Sequence, residues 1–138
     1  RKDCKFDMTN SWSTKHLKGD ESGAHNHANA MISGVLYLQT DDDSGAILFH
    51  KDKSNFNLFT PTIDVPFNNE KLNVFNTDGW AIKPKNNMLI LFPSTLYHSV
   101  YPNESDIERY VVAFNLFAFG KFGYDNVVQL GIENKTVA

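Results

Sequence analysis

The chain has 138 residues, with 13 lysines and arginines against 16 aspartates and glutamates, a formal charge of −3 and 41% hydrophobic residues. This length fits one domain over residues 1–138, and the composition excludes disordered and coiled-coil proteins. A slightly acidic chain without a basic stripe makes nucleic acid an unfavoured partner. No apolar run reaches the length of about 20 residues that a membrane helix needs. Only two of the cations are arginines, Arg1 and Arg109.

Cysteine usage and the start of the chain give two further expectations. Cys4 is the single cysteine, so it cannot form an internal disulfide, which fits a reducing, cytoplasmic location. Because the sequence starts at Arg1 rather than at Met, we expect that it lacks an N-terminal segment of the full-length protein.

Short β-like runs separated by turn residues recur in the first part of the chain. Lys5–Thr9 and Ser11–Leu17 predict two strands, or one long irregular strand. Ala30–Thr40 and Ala46–Lys51 are apolar and β-branched enough to be the next two strands. Asp41–Gly45 lies between them and is rich in turn residues, so this region is predicted to be a hairpin.

The second part of the chain continues in the same way. Residues 52–79 predict a long polar excursion that lines or covers the mouth of a pocket. Asn86-Asn87 predicts the two-residue turn of a hairpin. The remaining predicted strands are Trp80–Lys85, Met88–Phe92, His98–Tyr101, Arg109–Phe119 and a terminal strand within the tail 121–138. About nine short strands with few or no helices predict an all-β sandwich or small barrel.

Histidines are the first candidates for chemistry. In the motif His25-Asn26-His27 the two rings face the same side of an extended chain, so both can reach one metal ion. His98 follows an apolar strand, where its ring can complete a site with residues distant in sequence. The alternatives are an exposed pair in a loop and a hydrogen-bonded histidine at a strand end. His16 has no partner at useful spacing, and His50 is expected to face solvent.

Arg109 opens the last apolar strand, an unusual place for a cation in a chain that otherwise uses lysine. Its guanidinium can bind a carboxylate through two parallel hydrogen bonds, which lysine cannot do. The alternative is a surface ion pair with Glu104, Asp106 or Glu108.

Two stretches carry a resemblance to a known family. They are NSWSTKHLKGDESGAHNHANAMISGVLYL, Asn10–Leu38, and LILFPSTLYHSVYPNESDIERYVVAFNLF, Leu89–Phe117. With these stretches the sequence resembles the Fe(II)- and 2-oxoglutarate-dependent dioxygenases, and is most similar to a compact bacterial and phage branch of them. The resemblance implies a double-stranded β-helix, which is a jelly-roll, cupin-like barrel. It also implies Fe(II), 2-oxoglutarate and O2 as cofactor and cosubstrates, in a bacterial or phage-infected host cell.

The resemblance assigns roles to individual residues. His25 and His98 match the two metal-binding histidines of the family, and Arg109 matches the basic residue that binds the distal carboxylate of 2-oxoglutarate. Tyr37 matches a tyrosine that often helps to hold that carboxylate. His27 departs from the wider superfamily, because it stands where most of these dioxygenases carry aspartate or glutamate. Either it is the third metal ligand, or it lies behind the ligands and water takes its place. Candidates for contacts with substrate or with the ligands are Trp12, Asn26 and Asn115.

The implied activity is the oxidative decarboxylation of 2-oxoglutarate to succinate and CO2, coupled to hydroxylation of an unidentified substrate. A peptide or a small molecule is favoured, and the fold alone does not choose between them. One alternative, motivated by His27, is a cupin-like metal enzyme without 2-oxoglutarate, such as a three-histidine dioxygenase or an isomerase. Another is a non-catalytic jelly-roll binding module. Exposed edge strands would favour a homodimer.

Overall fold

The computed structural model describes residues 4–51, 71, 73, 77, 79–123 and 128–134. These residues form nine β-strands and no α-helix, which confirms the all-β prediction. The strands are β1 (Cys4–His16), β2 (Ser22–His25), β3 (Ile32–Gln39), β4 (Ile47–His50), β5 (Gly79–Ile82), β6 (Leu89–Pro93), β7 (His98–Val100), β8 (Arg109–Phe122) and β9 (Leu130–Ile132). Within this described part of the chain, no helix is long and apolar enough to span a bilayer.

The strands form two antiparallel sheets. The larger sheet has the order β1-β8-β3-β6, and β9 pairs with the far end of β8. The smaller sheet has the order β2-β7-β4-β5. Successive strands mostly switch from one sheet to the other, which is the connectivity of a jelly roll. The two inner faces therefore enclose a space to which strands distant in sequence contribute side chains.

Both predicted hairpins are wrong. Asp41–Gly45 connects β3 to β4, and Asn86-Asn87 lies between β5 and β6, but each connection joins strands of different sheets. The turn chemistry itself is present, because Gly45 has a φ of 79° and Asn87 a φ of 65°. A turn reverses the chain whether it stays in one sheet or crosses to the other. Pairing is decided by which apolar faces can be buried together, and a local turn motif does not contain this information.

The two ends of the larger sheet resolve other expectations. β1 is one continuous strand with an irregularity between Met8 and Asn10, which is the second of the two predicted alternatives. β9 pairs with residues 120–122 of β8, so the tail does contain a terminal strand. The predicted excursion over residues 52–79 lies outside the described residues, apart from positions 71, 73, 77 and 79.

The space between the sheets is unusually polar. The buried apolar side chains of the core are Val35, Tyr37, Ile47, Phe92 and Val111. The largest side chains that are almost completely buried include an arginine, a tyrosine and an asparagine, together with three serines. Polar side chains are rarely buried unless they have partners. Asn103 and Ser44 bond within the loops around them, whereas Ser33 bonds to Ser94 and Asn115 in the interior.

Gly45 is required at the connection between β3 and β4. A Cβ atom here would clash with the carbonyl oxygen of Tyr101 and would lie 2.6 Å from that of Pro102. Gly45→Ala is therefore expected to lower the free energy of unfolding by about 3 kcal/mol, since left-handed strain adds to a backbone clash. Gly19, with a φ of 88° and no atom within 4 Å of such a Cβ, is the matched control. In denaturant titrations, Gly19→Ala should lower the free energy of unfolding by about 1 kcal/mol. Equal decreases for Gly19→Ala and Gly45→Ala would contradict the role of the clash.

Candidate functional site

Three histidines come together between the two sheets. His25 at the end of β2 lies opposite His98 at the start of β7, and His27 follows two residues later. The ring centroids are separated by 4.4 Å for His25 and His98, 5.1 Å for His27 and His98, and 5.3 Å for His25 and His27. One nitrogen of each ring lies within 4.8 Å of the corresponding nitrogens of the other two. Three converging imidazoles are typical of a transition-metal site.

The hydrogen bonds of two of these rings fix the nitrogen that faces the cluster. Nδ1 of His25 lies 2.7 Å from the carbonyl oxygen of Gly23, and Nδ1 of His98 lies 3.0 Å from that of Leu96. A carbonyl oxygen only accepts, so each ring donates its Nδ1–H and keeps a free lone pair on Nε2. Metal-binding histidines usually donate their second nitrogen in this way.

A buried polar network holds the ring of His27. Its Nδ1 lies 2.7 Å from Oδ1 of Asn115 and 2.9 Å from Oγ of Ser33. Oγ of Ser33 also lies 2.7 Å from Oδ1 of Asn115 and 2.9 Å from Oγ of Ser94. The backbone N–H of His27 donates to the carbonyl oxygen of Ser94 at 2.9 Å. With Nδ1 engaged behind the ring, Nε2 of His27 is the nitrogen available to a metal ion.

Removing the acceptor behind His27 tests this network. Asn115→Leu is expected to weaken metal affinity by about 10–100-fold, the usual effect of losing an outer-shell partner of a ligand. The measurement is a calorimetric titration of Zn(II) or Fe(II) into chelator-treated protein. Asn10, which is exposed and lies opposite Asn115 in the β1–β8 pairing, is the matched control as Asn10→Leu. Wild-type affinity in Asn115→Leu would show that this amide does not position His27.

The histidines line a cavity of about 110 Å³ that extends towards the start of β8. A cavity of about 15 Å³ already holds one water molecule, so this cavity has room for a small ligand. Trp12 and Tyr37 also line it, and so do His16 and Arg109. Tyr37 and Arg109 reach the cavity from neighbouring strands of the larger sheet, whereas His25 and His98 belong to the smaller sheet.

In the guanidinium of Arg109, one terminal nitrogen is hydrogen-bonded and the other has no partner among the described residues. The side chain is 1% exposed, and its Nη1 donates to the carbonyl oxygens of Ser44 and Gly45. Its Nη2 is buried and has no hydrogen-bond partner among the described residues. A buried cation with an unused donor is costly unless a ligand pairs with it. This end of the cavity is therefore suited to an anion.

The alternative interpretation of Arg109 as a surface ion pair is wrong. Glu108 pairs with Lys15 at 2.6 Å, and Asp106 pairs with Lys18 at 2.7 Å, and all four side chains are exposed. The carboxylates next to Arg109 in sequence are thus neutralised by lysines, while the guanidinium points inward.

Burial sets the protonation states in the cavity. It raises the pKa of Tyr37 to about 12, although the charge of Arg109 acts in the opposite direction, so the phenol keeps its proton and can donate. Burial also lowers the pKa of His98, which favours the neutral ring that a metal ion binds. The pKa of Arg109 is lowered by burial, but a guanidinium remains charged at neutral pH.

The other candidates from the sequence fall in different places. Trp12 lines the cavity, and its ring lies 5.6 Å from that of His27. Asn115 contacts His27 directly, whereas Asn26 is exposed and its proposed contact stays a prediction. His50 is half-buried rather than solvent-facing, and its Nε2 lies 2.9 Å from Oγ of Ser99.

Sequence reasoning missed three polar residues of this interior, which are His16, Ser33 and Ser94. The expectation that His16 has no useful partner is wrong, because its Nε2 lies 3.3 Å from Oγ of Ser22. His16 lies four residues after Trp12, and both line the cavity. Ser33 shares the inward face of β3 with Val35 and Tyr37. The period of two along each strand was the signal that could have placed both residues inside.

A family comparison agrees with this geometry. A protein-family model described as "Putative 2OG-Fe(II) oxygenase" matches residues 10–115, which is most of the chain. The chain belongs to this family. The match confirms the resemblance that the two sequence stretches carry. No curated protein matches this 2OG-Fe(II) oxygenase family member significantly.

A solved structure shares the fold of this oxygenase family member. It is the crystal structure of an oxidoreductase of the 2OG-Fe(II) oxygenase family from Burkholderia pseudomallei, with a TM-score of 0.61 and 14% sequence identity. The similarity covers 82% of this chain and 45% of that chain, so the present sequence spans less than half the length of that protein. At this identity the comparison shows the jelly-roll fold.

Proposed function

We propose that this chain is an Fe(II)- and 2-oxoglutarate-dependent dioxygenase that hydroxylates a peptide or a small molecule, with release of succinate and CO2. The observation that carries the proposal is one cavity with two complementary ends. Three histidines converge at one end. Arg109 lines the same cavity, and its buried Nη2 has no hydrogen-bond partner among the described residues. The histidine end suits a metal ion, and the arginine end suits the far carboxylate of a 2-oxo dicarboxylate.

The residues present fit both groups. Three neutral imidazole nitrogens suit Fe(II), and His25, His27 and His98 would hold it. Arg109 would pair with the distal carboxylate of 2-oxoglutarate, and the phenol of Tyr37 would donate a further hydrogen bond. When bound, Fe(II) and 2-oxoglutarate use O2 to oxidise a C–H bond of the substrate.

The protein holds the ligand side chains in position, excludes water from one side of the site and sets the charge around the metal ion. The Nδ1 hydrogen bonds hold the three rings in place, so the ligands need little rearrangement when metal binds. Phe92 and Phe49 pack near His98, with ring centroids 4.8 Å and 6.2 Å from it, and exclude water from that side. His27 brings an imidazole where the wider superfamily carries a carboxylate, so an anionic cosubstrate would meet a more positive metal centre.

A second candidate is a metal-dependent dioxygenase or isomerase that does not use 2-oxoglutarate. The clustering of His27 with the other two histidines favours it, because a three-histidine ligand set lacks the family's carboxylate. The buried Nη2 of Arg109, which has no partner among the described residues, favours the 2-oxoglutarate-dependent enzyme. Chemistry without an anionic cosubstrate would leave this donor unused.

Anaerobic addition of Fe(II) and then 2-oxoglutarate tests the proposal. We expect a weak visible charge-transfer band that requires both additions and is lost in His25→Ala. A folded protein that binds Fe(II) but gives no band with 2-oxoglutarate would contradict the first candidate and favour the second. A folded protein that binds no Fe(II) would contradict both and favour a binding module. The cytoplasmic location and the homodimer stay predictions from the sequence.

A further inference from the structure

His16 and Arg109 lie side by side in the cavity, at the end of the β1–β8 pairing. His16 is the last residue of β1, and it pairs directly with Arg109, the first residue of β8. Directly opposed residues of antiparallel strands point to the same face, with their Cβ atoms about 5 Å apart. Both side chains line the cavity, and their exposed fractions are 9% and 1%.

Each of these two side chains has an unused nitrogen. Among the described residues, the buried side-chain nitrogen and oxygen atoms without a hydrogen-bond partner are Nδ1 of His16 and Nη2 of Arg109. Buried polar groups are almost always satisfied, so an unpaired one requires an explanation. Two unpaired nitrogens on paired residues of adjacent strands are explained together by one ligand with two acceptor atoms.

Ser22 on β2 allows His16 to act as a donor. Oγ of Ser22 lies 3.3 Å from Nε2 of His16, so its hydroxyl can donate to that nitrogen and leave the ring proton on Nδ1. Burial lowers the pKa of His16, and the charge of Arg109 lowers it further, whereas the charge of Asp20 acts in the opposite direction. The neutral imidazole can therefore carry its proton on Nδ1, the nitrogen that has no partner among the described residues.

We propose that His16 and Arg109 form a single carboxylate-binding subsite, in which Nδ1–H of His16 and Nη2–H of Arg109 bind the distal carboxylate of the cosubstrate. This inference rests on the proposed function. Arg109 commits Nη1 to the carbonyl oxygens of Ser44 and Gly45, so its Nη1–Nη2 fork is not free to take both carboxylate oxygens. The neighbouring histidine supplies a donor in addition to Nη2 and the phenol of Tyr37, and His16 becomes a determinant of affinity for a dicarboxylate.

Binding measurements on side-chain analogues of His16 test this subsite. The dissociation constant of 2-oxoglutarate is measured by calorimetry on anaerobic, Fe(II)-loaded protein, and that of succinate is measured in parallel. Succinate lacks the 2-oxo group and reports on the carboxylate subsite. His16→Leu and His16→Gln are expected to weaken binding of both by about 10-fold, the cost of one hydrogen bond to a charged group. His16→Asn, whose amide nitrogen lies near the Nδ1 position, should stay within about 3-fold of wild type.

The controls separate this subsite from a structural role. His50→Leu removes a histidine that is bonded to Ser99 outside the cavity, and it should leave both dissociation constants unchanged. In turnover, His16→Leu should raise KM for 2-oxoglutarate and leave kcat unchanged, which a general loss of structure would not do. Thermal melts show which variants are folded.

The outcomes distinguish the two proposals. Wild-type affinity in a folded His16→Leu, or equal affinities of His16→Asn and His16→Gln, would overturn the subsite while the oxygenase function stands. If His16→Leu does not fold, the comparison of the Asn and Gln variants decides. Wild-type protein that binds Fe(II) but not 2-oxoglutarate would overturn the proposed function, and the subsite with it.

Discussion

Arg109→Leu is expected to weaken the binding of 2-oxoglutarate by more than about 100-fold, because a charge-assisted hydrogen bond in a buried cavity is lost. Arg109→Lys keeps the charge but not the planar guanidinium, which bonds through Nη1 and leaves Nη2 without a partner among the described residues, so about 10-fold weakening is expected. Calorimetry with 2-oxoglutarate on Fe(II)-loaded, oxygen-free protein measures both effects. Metal affinity should be unchanged, because no histidine of the cluster contacts Arg109 through a described hydrogen bond.

A neighbouring cation provides the control for Arg109. Lys15 precedes His16 on β1 and pairs with Tyr110, one register position from Arg109, but its ammonium lies on the exposed face next to Glu108. Lys15→Ala removes the same charge from the same part of the sheet without reaching the cavity. Equal weakening in Lys15→Ala and Arg109→Leu would mean that the net charge of the sheet matters, and would remove the case for a carboxylate subsite.

His98→Ala is expected to raise the dissociation constant of Fe(II) by more than about 100-fold, since even the loss of an outer-shell partner costs 10–100-fold. The ring is 4% exposed and provides one of three converging nitrogens. Its removal also leaves a void beside Phe92 and Phe49, so the free energy of unfolding of the metal-free protein should fall by about 2 kcal/mol. Metal titration and denaturant melts measure the two effects separately.

The control for His98 lies on the next strand. His50 belongs to β4, which pairs with β7, and His50→Ala removes an imidazole from the same sheet without removing a member of the cluster. Metal affinity should stay at the wild-type value in His50→Ala. Unchanged Fe(II) affinity in folded His98→Ala would show that the metal ion, if one binds, is held elsewhere.

The two sheets contribute different residues to the candidate site. His25 and His98 come from short strands of the smaller sheet, and Arg109 and Tyr37 come from the larger sheet. A ligand that pairs with both ends must therefore lie between the sheets, where it is largely removed from water. In such a place each charge-assisted hydrogen bond is stronger than at the surface.

Much of the β-structure was predictable because it depends on local properties. Apolar and β-branched runs identified β3, β4 and β8 with ends within a few residues of those observed. The i, i+2 spacing placed His25 and His27 on one side of the chain, and the apolar strand before His98 indicated an inward position. These features are contained in short stretches of sequence, so a reader of the sequence can find them.

The sequence by itself determined the all-β class, the family resemblance and the histidine and arginine candidates, because each is carried by a local pattern or a motif. The tertiary structure alone decided that both hairpin turns cross between sheets, that Asn115 supports His27 and that His16 lies next to Arg109. The physical reason is that strand pairing is chosen by burial of whole faces. It joins residues as far apart in sequence as His16 and Arg109, and no local pattern records which strand will lie beside which.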